Sequence, residues 1–348
     1  MMFRITVVVF SFLLATQTAP SVAFSSAISI GRTEGRYRST SLQLTKDNGD
    51  LNGSVLTFTS GVHQVFIEDT DAYGVVYNGN YLKFYERALQ WFRSKEMSDR
   101  VASDNTVPLK NNDNIVNDDW VLARLDKQKF KASPGLGDSY VISGTRLEAS
   151  AVHEVWKMEM SQPKNIADDI VYNTSIITIA RDPTVLPIPT RFDDAVGESI
   201  GNDAMNRFVV HRDELEGLSG VLPLRSVLNY FERPRSNFFG GPSALRELQE
   251  EHNIIVVVTK IDQGSLLPCA NQMRSGDEVE VQNRFVLKGR GKMCDVHQKL
   301  LMRSGELGDE KIVAQAVVTL LLLDRTTGKP ATRRPEWLES RLRQSVIS

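Results

Sequence analysis

Asp69 and Asp71 stand in a short polar stretch, Glu68-Asp69-Thr70-Asp71-Ala72-Tyr73-Gly74, just ahead of a segment with helical spacing. Tyr81, Leu82, Tyr85, Ala88, Leu89 and Phe92 recur three and four residues apart, which predicts an amphipathic helix starting near Asn78. A helix start carries unpaired backbone N–H groups and a partial positive charge. A carbonyl held there has its oxygen polarised. A carboxylate on the approaching loop then either attacks the carbonyl carbon or activates a water to do so. Gly74 and Gly79 permit close backbone approach around the reacting group. An acid on this loop leaves both routes open. Turns and caps also favour Asp, and Asp69 is read as a residue of that kind.

Glu86 lies eight residues past Asn78, about two turns along the same helix face. It is a further candidate acid, with a structural role favoured because a repeat later in the chain retains it. Gly74, Val75, Tyr77 and Tyr81 are candidate substrate-contact residues, the tyrosines as core and pocket wall. Two cysteines and five scattered histidines have no zinc-ligand spacing, so no metal site is expected. A net charge of −2 gives no overall basic field for nucleic acid or an anionic membrane. Lys127-Lys129-Lys131 and Lys288-Arg290-Lys292 are local basic clusters, read first as solvated strand faces.

The elements around these residues occur twice. Phe84-Tyr85-Glu86-Arg87-Ala88 is echoed by Tyr230-Phe231-Glu232-Arg233-Pro234, which sets Glu86 and Glu232 146 residues apart. At the same spacing Gly74-Val75-Val76 falls on Gly220-Val221-Leu222. Each copy reads as a short strand (Gln64–Glu68; Arg207–His211), a loop, one amphipathic helix and several strands. The strands are expected at Trp120–Lys131, Tyr140–Arg146, Ala151–Met160 and Ile170–Ile179, then Ile254–Ile261, Glu278–Leu287, Lys292–Met302 and Ile312–Leu323. The last, nearly continuously apolar, should be buried on both faces. Pro234 should kink or end the second helix. Asp99–Asp119 reads as a polar surface insertion. The fold class is α+β, each unit an antiparallel curved sheet wrapped around one central helix. Domain bounds are placed at 55–192 and 206–340, joined by a linker at 193–205.

The stretch Val65–Phe92, VFIEDTDAYGVVYNGNYLKFYERALQWF, resembles the signature of the 4-hydroxybenzoyl-CoA thioesterase family of hot-dog proteins. The resemblance runs through some twenty residues of the pattern D-x-D-A-x-G-V-V-Y-x-x-x-Y-x-x-F-x-E-R-A and covers the rest of the first half loosely. It implies a tandem hot-dog fold, hydrolysis of an acyl-CoA or acyl-carrier-protein (ACP) thioester with water, and no cofactor. It carries the catalytic acid onto Asp71 and the polarising backbone amide onto Asn78. In single-repeat relatives two subunits pair around each site. A tandem would form that pair within one chain, and further homo-oligomers remain open. In the second copy Asp71 falls on Gly217, with Glu216 one residue earlier, so that copy reads as a partner lacking the acid. Hydratases of this fold use a helix histidine, and neither Asp69–Phe92 nor Gly217–Phe239 contains one. Plant ACP thioesterases carry an Asp/Asn/His set in their second half, of which Asp295-Val296-His297 is a fragment. The non-enzymatic alternative is an acyl-thioester-binding scaffold.

Residues 1–23 read as a signal peptide, whose apolar run Ile5–Ala15 is too short to span a bilayer. Residues 24–48 are Ser/Arg-rich and open with Phe24, which resembles the two-part plastid address of algae with complex plastids. Secretion is the alternative.

Overall fold

The computed structural model describes residues 56–71, 74–103, 120–164, 170–187, 206–215, 221–288, 292–304 and 309–347. The N-terminal address, the 193–205 linker, Glu216, Gly217 and Arg290 lie outside them. In chain order the strands are β1 (Thr57–Thr59), β2 (His63–Gln64), β3 (Val121–Phe130), β4 (Ser139–Ala149), β5 (His153–Ser161), β6 (Val171–Ala180), β7 (Arg207–Val209), β8 (Ile254–Leu266), β9 (Glu278–Lys288), β10 (Met293–Ser304) and β11 (Asp309–Asp324). The helices are α1 (Asn80–Ser103), α2 (Leu224–Phe238), α3 (Gly241–Glu250) and α4 (Glu336–Ile347).

One antiparallel sheet runs in the order β1-β4-β5-β6-β3-β8-β11-β10-β9-β7, with β2 beside β4. The order is its own mirror: β3 answers to β8, β6 to β11, β5 to β10, β4 to β9. The two halves are hydrogen-bonded through β3 and β8, where Leu125 faces Gly264 and Gln128 faces Ile261. β11 lies inside the sheet, and Val313–Val318 is buried without a break, as its apolar run requires.

The apolar stripe of α1 buries Tyr81, Leu82, Tyr85, Leu89 and Phe92. Burying a side chain of this size contributes about 2 kcal/mol, so packing rather than helix propensity holds α1. Phe92 stacks on Phe58 of β1 at 4.8 Å between ring centroids, and Trp156 of β5 meets both edge-on. In the second half Leu224, Val227, Leu228 and Phe231 of α2 are buried in the same way.

Several expectations are corrected. α1 extends to Ser103, so the segment expected to begin an insertion at Asp99 opens as helix. No Gly or Pro interrupts Phe92–Ser103 to stop it. α2 does not end at Pro234 but continues to Phe238. Pro234 and Arg235 are buried, and Arg235 Nη1 donates to Gln298 Oε1 on β10 at 2.7 Å. That tertiary anchorage offsets the roughly 3 kcal/mol an interior Pro costs. The strand expected at Gln64–Glu68 ends at Gln64 and is followed by a 3-10 turn at Ile67–Asp69. There the Asp69 carboxylate takes the Phe66 N–H, at 3.2 Å, and closes the turn. Arg207–His211 shortens likewise, with Glu214 Oε2 accepting the His211 N–H at 2.8 Å. α3 and α4 are additions the apolar spacing did not single out. No helix among the described residues is long and apolar enough to cross a membrane.

Candidate active site

The loop that carries Asp71 is a tight reversal. Thr70 and Val76 form a β-bridge, and the Asp71 N–H donates to Val75 O at 2.9 Å. Asp71 Oδ1 accepts the Val75 N–H at 3.4 Å. Gly74 sits at φ +72°, a left-handed conformation that explains glycine there. The loop is tied to the sheet by Val76 N–H to Pro134 O (2.9 Å) and Leu136 N–H to Gly74 O (3.1 Å). Asp69 serves the turn: its carbonyl accepts the Tyr77 N–H at 3.0 Å and the Asn80 side-chain N–H at 3.1 Å. These two bonds fix the start of α1 against the loop.

Asn78 and Gly79 form the turn before α1, and the helix proper begins at Asn80. The Asn80 N–H is taken by Tyr77 O at 2.9 Å. Neither the Asn78 nor the Gly79 N–H meets a protein acceptor among the described residues. These are the orphan donors a helix start presents. Gly79 is buried, and a Cβ built on it would lie 2.7 Å from Asn229 Oδ1 of α2 and 2.8 Å from the Tyr77 ring. A side chain at this position would force the Asn229 amide and the Tyr77 ring to move.

A cavity of about 750 Å³ opens at this contact. The start of α1 lines it with Tyr77 and Asn80, and α2 with Asn229, Glu232, Arg233 and Ser236. Asp71 is not among its described lining residues, yet its charge reaches both sides of the contact. Burial pushes the Tyr81 hydroxyl above its ordinary range, and Asp71 adds to the push. Burial likewise raises the Glu232 carboxyl; Arg235 and Arg233 oppose, and Asp71 adds.

The candidate residues divide. Asp71, Gly74 and Val75 form the loop, Asn78 the helix start, Tyr77 the cavity wall, and Tyr81 is wholly buried behind them. Glu86 stands apart: it is buried, and Arg225 Nη1 of α2 donates to its Oε2 at 2.6 Å. The α2 residues of the cavity were not assigned to chemistry by the sequence, although the FYERA/YFERP echo marks Glu232. Lys127, Lys129 and Lys131 are exposed. Lys288 is paired with the buried Asp295, which also accepts the Thr319 hydroxyl at 2.8 Å.

The second-half register is one residue tighter ahead of the loop. Val65 exchanges backbone bonds with Gly137 and Asp138 as Val210 does with Gly276 and Asp277, a spacing of 145 rather than 146.

No protein-family model matches the sequence, and no curated protein matches it. Solved structures do resemble it. An acyl-ACP thioesterase from Bacteroides thetaiotaomicron shares 14% identity over 76% of this chain and 97% of its own, at a TM-score of 0.46. A 12:0-ACP thioesterase from Umbellularia californica shares 9% over 76% of this chain and 94% of its own, at 0.45. A 1,4-dihydroxy-2-naphthoyl-CoA thioesterase from Synechocystis shares 23% over 36% of this chain and 80% of its own, at 0.26. Overlaps of this extent leave the fold to stand on the strand order and the buried helices. These three resembling structures are acyl-ACP and acyl-CoA thioesterases, and the large antiparallel sheet with few helices fits the hot-dog fold of the sequence reading.

Proposed function

We propose that the chain is a tandem hot-dog thioesterase that hydrolyses acyl-CoA or acyl-ACP thioesters to a free acid and a thiol. The observation that carries this reading is the cavity between the start of α1 and α2, beside the Asp71 loop. The thioester oxygen is received by the orphan N–H of Asn78, with that of Gly79 next to it. Asp71 attacks the carbonyl carbon or takes the proton of the attacking water. Tyr77 and the α2 side chains hold the thioester, so the second half acts as the partner that a second subunit supplies in single-repeat relatives. The mirrored strand order supports reading the chain as an intrachain pair of hot-dog units.

The full chain offered benzoyl-, hexanoyl- and palmitoyl-CoA, and an acyl-ACP, is expected to release free thiol from at least one of them. Folded protein that binds these thioesters without releasing thiol would make it a binding scaffold instead. A plastid address in residues 1–48 belongs to the same reading, on the composition of that segment. Fused ahead of a fluorescent protein, residues 1–48 should carry it into the plastid of a complex-plastid alga. Fluorescence in the medium would mark a plain secretory signal.

A further inference from the structure

The two halves place one glutamate each at matching points of α1 and α2, and the structure treats them differently. At the 146-residue spacing Glu86 answers to Glu232, and Arg225 answers to Gly79. Arg225 reaches from α2 to Glu86 and pairs with it at 2.6 Å. On the other side the position of the arginine is a glycine, pressed against Asn229. No guanidinium reaches Glu232 from that position, and its carboxylate lines the cavity with Tyr77 and Asn80. Among the described residues the Glu232 carboxyl has no ion pair or hydrogen-bond partner.

We propose that Glu232, supplied by the second half, is the second catalytic carboxyl of the Asp71 site and donates the proton that the departing sulfur takes. The proposal rests on the thioesterase reading and assigns a catalytic role to the half without the Asp71 motif. Two carboxyls in one site take opposite tasks when their surroundings separate their proton affinities. Burial raises Glu232; Arg235 and Arg233 on its own helix oppose, and Asp71, from the loop before α1, adds to the rise. Arg207 of β7 also lines the cavity. On the proposal, Glu232 is the proton donor and Asp71 the proton acceptor.

The step balances on these residues. Water adds to the carbonyl carbon as its proton passes to Asp71. The tetrahedral adduct then collapses: the C–S bond breaks, its electron pair goes to sulfur, and sulfur takes the Glu232 proton. The products are a carboxylic acid and a thiol. The proton on Asp71 returns through solvent to Glu232. Because the donor must hold its proton, the rate falls as pH rises through the Glu232 pKa.

The test compares wild type, Glu232→Gln and Glu232→Asp, as full chains, on two kinds of thioester. One is the acyl-CoA the wild type hydrolyses fastest among benzoyl, hexanoyl and palmitoyl. The other is the same acyl group on 5-thio-2-nitrobenzoate, whose thiol leaves readily without a proton. Glu232→Gln is expected to lower kcat about 100-fold on the CoA ester and to abolish the alkaline fall of the rate. On the nitrothiophenyl ester the loss should be about threefold or less, and Glu232→Asp should keep part of the CoA activity. Equal losses on both esters, or no loss on either, overturn the proposal and leave the thioesterase reading intact. No thiol release by the wild type from any ester overturns both. Carboxyl 13C NMR needs no substrate: Glu232 should titrate above an ordinary glutamate and move down in Asp71→Asn. A Glu232 titration that Asp71→Asn does not move also overturns the proposal.

Discussion

Asp71→Asn is expected to lower thioester hydrolysis about 1,000-fold, the range that loss of a positioned general base or a carboxylate nucleophile produces. The substitution is nearly isosteric. The Asn Oδ1 can still accept the Val75 N–H that Asp71 takes at 3.4 Å, and the backbone bonds that close the reversal are unaffected. The loop, Gly74 at its positive φ and the start of α1 therefore stay in place. What is lost is the negative charge and the ability to hold a proton, and neither the oxygen nor the nitrogen of an amide replaces these. Thiol release followed over time, beside thermal unfolding of both proteins, checks the outcome. A loss below tenfold with the fold intact would remove Asp71 from the chemistry. A large loss with a Tm many degrees lower would mean that the loop had collapsed.

The second large effect concerns stability. Arg225→Ala should destabilise the protein by about 3 kcal/mol, because it leaves the buried Glu86 carboxylate without its cation. Arg225 itself is 27% exposed in its side chain, which places the cost at the low end of the range for a buried pair. Replacing both partners, Glu86→Met with Arg225→Met, should recover most of the loss, since neither charge is then stranded. Urea unfolding of the single and double variants measures this directly. The same series decides the place of Glu86. Glu86→Gln should cost stability and change kcat by no more than about threefold, as befits a residue tied to Arg225 and outside the cavity lining. A hundredfold fall in kcat at unchanged stability would return Glu86 to the catalytic set and weaken the distinction drawn between the two glutamates.

The contrast between these two glutamates also bears on how many sites the chain has. A pair of identical subunits would hold two equivalent contacts between their helices. Here one contact carries Arg225 and an ion pair, and the other carries Gly79 and a cavity. On the proposal above, the second half contributes a wall and an acid to the Asp71 site.

Much of this was legible in the sequence because it is local. A loop with Asp71 ahead of a helix, glycine at a left-handed position, and the apolar stripe Tyr81 to Phe92 are fixed by neighbours a few residues away. Strand positions followed from apolar runs, and their ends shifted by a few residues where pairing rather than composition sets them. The echo of FYERA in YFERP revealed the repeat. The sequence could not tell Glu86 from Glu232, because the two motifs are alike and what separates them lies on another helix: Arg225 for one, Gly79 for the other. Nor could it decide between a kink and an end of α2 at Pro234, since the bond from Arg235 to Gln298 spans 63 residues. Local chemistry determined where a carboxylate meets a helix start. The packing of α2 against α1 decided which glutamate is ion-paired and which lines the cavity, because only the folded pair brings the two halves within reach.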